Sequence, residues 1–129
     1  MPAHDGLWEA AENTAGDVLA RLAVVPMVLE ARGLDVTPAT VGRFEAAGDE
    51  RSARVLQRIY HDEIRHVAAG TTWFTKIAES RGFSPIDHWQ ELVKHHCMGA
   101  LKPPFNNSAR DQAGLSRDFY EGVAPARVL

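Results

Sequence analysis

The stretch ERSARVLQRIYHDEIRHVAAGTTWFTKIAESRG, Glu50 to Gly82, decides the fold. Wound at 3.6 residues per turn, Glu50 to Arg81 gathers Leu56, Ile59, Gly70, Phe74 and Ile77 on one face and sends Arg54, Arg58, His61, Arg65, Lys76 and Glu79 to the other. The segment reads as one long amphipathic helix closed by Gly82. Glu63 falls in the middle of the apolar face, and His66 lies one turn further along it, flanked by Val67 and Trp73. A carboxylate and an imidazole on the core side of a helix need a chemical reason to be there.

Working outward, helix punctuation is frequent and strand signals are nearly absent. Leu7 to Arg32 reads as one helix or two abutting ones, with Gly16-Asp17 as a break and Gly33 as the stop. Thr37-Pro38 has the form of an N-cap followed by proline in the first turn, opening a short helix that ends near Gly48. Ser84-Pro85 repeats that signature and starts a helix to about Cys97. Beyond Met98 the chain turns irregular, through Pro103-Pro104 and Asn106-Asn107, with one short helix near Ser116 to Gly122. The expectation is an all-α chain of one domain, residues 1–129, with the irregular segment 98–129 packing on a helical bundle.

Composition narrows the setting. The chain has 129 residues, 45% of them hydrophobic, enough for one modest core. A net charge of -3 leaves no excess of Lys and Arg to bind phosphate, so nucleic acid and anionic membrane are not expected partners. The single cysteine, Cys97, cannot close an internal disulfide, and no run approaches the roughly 20 apolar residues of a bilayer span. A cytoplasmic protein is the expectation.

The helix containing LAVVPMVLEA, Leu22 to Ala31, is apolar nearly all the way round until Glu30, which calls for neighbours on every side. Pro26 removes a backbone hydrogen bond there, at roughly 3 kcal/mol unless packing compensates, and a kink one turn before Glu30 helps aim that carboxylate. An ionised carboxylate in a dry core costs several kcal/mol, so Glu30 and Glu63 must be protonated, paired with a cation or bound to metal. Arg32 and Arg65 point away by helical phase. A metal ion answers the problem, and carboxylate oxygen with one imidazole suits iron or manganese better than structural zinc. Glu63 and His66, at i and i+3, can reach one ion, and Glu30 from a facing helix can bridge to a second. A ferritin-like di-metal bundle needs a Glu from each of two helices plus two Glu-x-x-His pairs, of which this chain supplies one each. The alternative for Glu63 and His66 is an ordinary hydrogen-bonded pair at the core edge. Tyr60 and Asp62 are candidate supporting residues, with a core-edge aromatic and an exposed acid as the alternatives. His88, Glu91 and His95 share a face opposite the apolar stripe of Ile86, Trp89, Val93 and Cys97, and read as solvated; Cys97 reads as a small buried residue.

VVPMVLEARGLDVTP, GDERSARVLQRIYHDEIRHVAAGTTWF and LKPPFNNSAR together resemble the carboxy-terminal half of a ferritin-like family of uncharacterised proteins, domain of unknown function 455, over about Asp17 to Ala113. The resemblance implies a half-bundle, completed by a homodimer or by a chain carrying the missing half, and maps Glu30, Glu63 and His66 onto metal-ligand positions. It places Lys102, Asn106 and Arg110 in a loop of unassigned role. Lys102 and Arg110 are candidate anion contacts, against solvated surface charge. The implied function is a di-iron or di-manganese carboxylate protein acting as an oxygen-activating oxidoreductase; the competing one is a non-catalytic helical interaction module with an incomplete site.

Overall fold

The computed structural model describes residues 16–97, 99 and 101–124, so the expected helical start at Leu7 lies outside the described residues. Among the described residues six α-helices follow in order: α1 Val18–Val24, α2 Ala31–Ala46, α3 Glu50–Ser80, α4 Pro85–His96, α5 Asn107–Gln112 and α6 Arg117–Tyr120. A single π-helical stretch, Val25–Glu30, joins α1 to α2, and the described residues contain no strand. The described residues are all-α, as the periodicity predicts.

Asp17 begins the first rod by accepting from the N–H groups of Leu19 and Ala20 through its carboxylate, at 3.0 and 3.2 Å. The rod then runs to Ala46 without stopping, which corrects two sequence expectations. Gly33 does not end a helix, and Thr37-Pro38 does not open one; Pro38 lies inside α2. The reason is tertiary. A proline at position 38 has no N–H for the Leu34 carbonyl four residues earlier. Asn106, from the far end of the chain, donates its side-chain N–H to that carbonyl at 3.0 Å. Buried Ala31, Leu34 and Val41 hold the helix on both sides of the proline.

At Pro26 the solution is local. The widened turn moves the backbone pairing from i→i−4 to i→i−5, so that the Ala31 N–H donates to the Pro26 carbonyl. The rod reverses at Ala47-Gly48-Asp49, where Gly48 takes φ 81° and the Gly48 and Asp49 N–H groups donate to Glu45 and Phe44, a Schellman closure. Gly82, at φ 79°, closes α3 in the same way through Glu79 and Ala78.

α3 therefore runs antiparallel to the rod, and two facing pairs mark their register. Pro26 lies on Gly70, and Glu63 Cγ lies 4.0 Å from where a Cβ on Gly33 would stand. Between these two pairs Glu30 is brought opposite His66. α4 packs on α1 through Trp89, which is fully buried, donates its indole N–H to the Ala23 carbonyl at 3.2 Å and meets Phe119 edge-to-face. Segment 107–112, expected to be irregular, is helical, with Asn106 as its N-cap.

Candidate metal half-site

Glu30 is the last residue of the π-helical turn, Glu63 stands near the middle of α3, and His66 follows one turn later. The three carboxylate and imidazole groups feel one another. Burial pushes the Glu30 carboxyl above its ordinary value, the Glu63 carboxylate pushes it further in the same direction, and His66 offsets part of the rise. Glu63 Oε2 lies 3.6 Å from His66 Nδ1, while Glu63 Oε1 is buried and accepts no hydrogen bond. A buried carboxylate oxygen with an empty hydrogen-bonding shell is costly, and a cation is one of the few things that satisfies it.

The site is one-sided. The Glu63 side chain is 23% exposed, but that of His66 is 64% exposed. Among the described residues no three His, Cys, Asp or Glu side chains converge closely enough to hold an ion alone. The structure corrects the expected face of α3 in part: Gly70 and Phe74 are buried and Leu56 and Ile77 half-buried, but Ile59 is not. The buried positions of the helix are Ala53, Val67, Gly70, Thr71, Phe74 and Ala78, whereas Ile59 is 52% and Trp73 59% exposed. Val55 is exposed beside them. Val55, Ile59, His66 and Trp73 recur at helical spacing, so α3 carries a second, outward apolar stripe with the imidazole in its middle. On the rod, Ala23, Val24, Met27, Val28 and Ala31 are buried and Leu22, Val25 and Leu29 are half-buried, so the segment that reads as apolar all round has no exposed residue; the exposed valines, Val18 and Val36, lie beyond its two ends.

Below Glu63, a polar cluster fastens the C-terminal segment to the helix pair. Arg110 donates through Nε and a terminal nitrogen to both Asp35 oxygens, at 2.9 and 2.6 Å, with both side chains 2% exposed. The guanidinium also lies over the rings of Phe105 and Tyr120, at 4.7 and 4.6 Å. Asn106 donates its backbone N–H to Asp35 at 2.8 Å and a side-chain N–H to the Tyr60 hydroxyl at 2.8 Å. Tyr60 is thus a core-edge aromatic held from the C-terminal segment, one turn from Glu63.

Arg110 is neither a solvated surface charge nor an open anion contact, because Asp35 already occupies its fork. Lys102 is exposed, and its carbonyl accepts from Arg32 at 3.4 Å. Asp62 pairs with Arg65 at 2.6 Å on the exposed flank. His88 is not solvated as its helical phase implies: it stacks on Phe83 with ring centroids 4.2 Å apart. Cys97 is buried, and burial pushes its thiol up to about 11. Asp35 is the residue that sequence reasoning missed. Only its separation from Arg110 in sequence hid it, since an acid at the junction of two apolar faces is otherwise the same signal that singled out Glu63.

A family model described as "Protein of unknown function (DUF455)" matches residues 1–121. The chain belongs to this family. An uncharacterized protein of Haemophilus influenzae is 39% identical over 121 residues, which cover 94% of this chain and 42% of that relative. The DUF455 chain described here thus spans less than half the length of that relative. No solved structure matches it.

Proposed function

We propose that this DUF455 chain is half of a ferritin-like di-metal carboxylate protein, in which Glu30, Glu63 and His66 hold iron or manganese once a second helix pair faces them. The observation that carries this reading is the buried, unpartnered Oε1 of Glu63 beside a second carboxylate whose charge it disfavours. The donor set fits hard or borderline first-row metals, and Glu-x-x-His plus a facing Glu is half of the bundle arrangement. When bound, such a metal supplies a redox centre with open positions for oxygen chemistry on a substrate. The chain's own residues do the rest: Glu63 and Glu30 offer carboxylate oxygens, and His66 offers one ring nitrogen from the open side.

The second helix pair comes from another copy of this chain or from a stretch such as the longer relative contains. The exposed Val55, Ile59 and Trp73 of α3 support the reading that it packs there, since exposed apolar side chains serve association. Placing charges on that stripe is expected to leave the fold alone and to remove the partner. Ile59→Lys with Trp73→Glu is expected to shift the thermal midpoint little, because surface changes away from packed features stay within about 0.5 kcal/mol each. Light scattering is expected to show a dimer for the unmodified chain and a monomer for the variant; an unmodified chain that is monomeric at micromolar concentration contradicts the homodimer.

A specific observation favours a second reading, a non-catalytic helical interaction module: no three donors converge within the described residues. In that case Glu30→Ala and His66→Ala change stability while metal content stays at background. Function in the cytoplasm is part of the same proposal, and rests on the lone cysteine and on the absence, among the described residues, of a helix long and apolar enough to cross a membrane.

A further inference from the structure

The approach of Pro26 to Gly70 is closer than a side chain on the glycine would allow. A Cβ there would stand 2.5 Å from the proline Cβ and closer still to its Cγ, in a region where real Cβ atoms do not go. At the other end of the same interval, a Cβ on Gly33 would meet Glu63 Cγ at 4.0 Å, an ordinary van der Waals contact. Only one of the two glycines therefore limits how near the helices lie. Pro26 and Glu30 belong to one turn of the rod, and Gly70 and His66 to one turn of α3. The notch and the carboxylate cluster are neighbours on both helices.

We infer that the seating of Pro26 in the Gly70 notch is a positioning device for the half-site, setting the helix spacing at the level where Glu30 faces Glu63 and His66. In its metal readout this rests on the proposal above. Metal affinity is sensitive to ligand placement, and changes in residues that only orient ligands typically cost 10–100-fold. Gly70→Ala forces the helices apart there, because packed interiors do not absorb an added methyl group without displacement. Gly33→Ala adds the same methyl with room for it. Pro26→Gly with Gly70→Ala moves the notch from one helix to the other, since the nearest remaining atom, the Cα of residue 26, stands 3.9 Å from the new Cβ.

The experiment titrates manganese into the purified full chain and its variants in the association state of the unmodified protein. Gly70→Ala is expected to weaken binding roughly tenfold or more. Gly33→Ala is expected to leave it unchanged, and the notch-exchange variant to recover the affinity of Pro26→Gly alone. A folded Gly70→Ala that binds as the unmodified chain does, or a notch-exchange variant as weak as Gly70→Ala, overturns the inference. If Gly70→Ala does not fold, a notch-exchange variant that also fails to fold while Pro26→Gly folds overturns it. The absence of manganese binding by the unmodified chain would sink the metal proposal instead. Proton cross-peaks between Gly33 and the Glu63 side chain then decide the spacing in metal-free protein: they are expected to vanish in Gly70→Ala and return in the notch-exchange variant, and their persistence in Gly70→Ala overturns the inference.

Discussion

Asp35→Ala is expected to remove about 3–5 kcal/mol of folding stability, the usual cost of leaving one partner of a buried ion pair without the other. Against a total of about 5–15 kcal/mol for a domain, that loss brings the chain close to unfolding at room temperature. The magnitude follows from the surroundings of Arg110. Its side chain is 2% exposed, it is packed against two aromatic rings, and one terminal nitrogen is already without a hydrogen-bond partner. The same substitution strips Asn106 of the acceptor for its backbone N–H, loosening the residue that caps the Leu34 carbonyl and holds Tyr60. Replacing both charges together, Asp35→Leu with Arg110→Met, is expected to be far milder than Asp35→Ala, because no unpaired charge remains buried. Urea denaturation of the three proteins measures the difference, and a single variant as stable as the double one contradicts it.

Trp89→Ala is expected to cost a further large amount, about 3–5 kcal/mol, by opening a cavity that α1, α4 and α6 all line. Trp89 has no exposed surface, and its indole N–H supplies a partner to Ala23 close to the π-helical turn. Trp89→Phe is expected to be milder. It keeps a six-membered ring in the core and loses the N–H together with the five-membered ring, so a smaller loss of about 1–3 kcal/mol is expected. Calorimetric midpoints ordered as unmodified chain, then Phe, then Ala are the predicted outcome; a Phe variant as damaged as Ala contradicts it.

Sequence alone made α3 legible from end to end, because amphipathic spacing and terminal glycines act within a few residues of one another. Ser84-Pro85 located α4 for the same reason. The failures share a different physics. Thr37-Pro38 has the chemistry of a helix start, yet the carbonyl that Pro38 leaves free is satisfied by Asn106, 72 residues away in sequence. Asp35 and Arg110 find each other across 75 residues, and local pattern holds no record of that. Ile59 and Trp73 show a third limit: apolar residues at helical spacing do not say which of them the fold buries. Within the candidate site, the residue types and their i, i+3 spacing were readable, whereas the exposure of His66 and the Gly70 notch required the packed helices.

The central claim is that Glu30, Glu63 and His66 are metal ligands, and elemental analysis of the tag-free chain with iron and manganese both offered tests it most directly. The account predicts about one metal ion per chain, as half of a dinuclear bundle site requires, and its loss in both Glu63→Gln and His66→Ala. A folded, associated chain that carries no iron or manganese, or metal that stays in both variants, contradicts it.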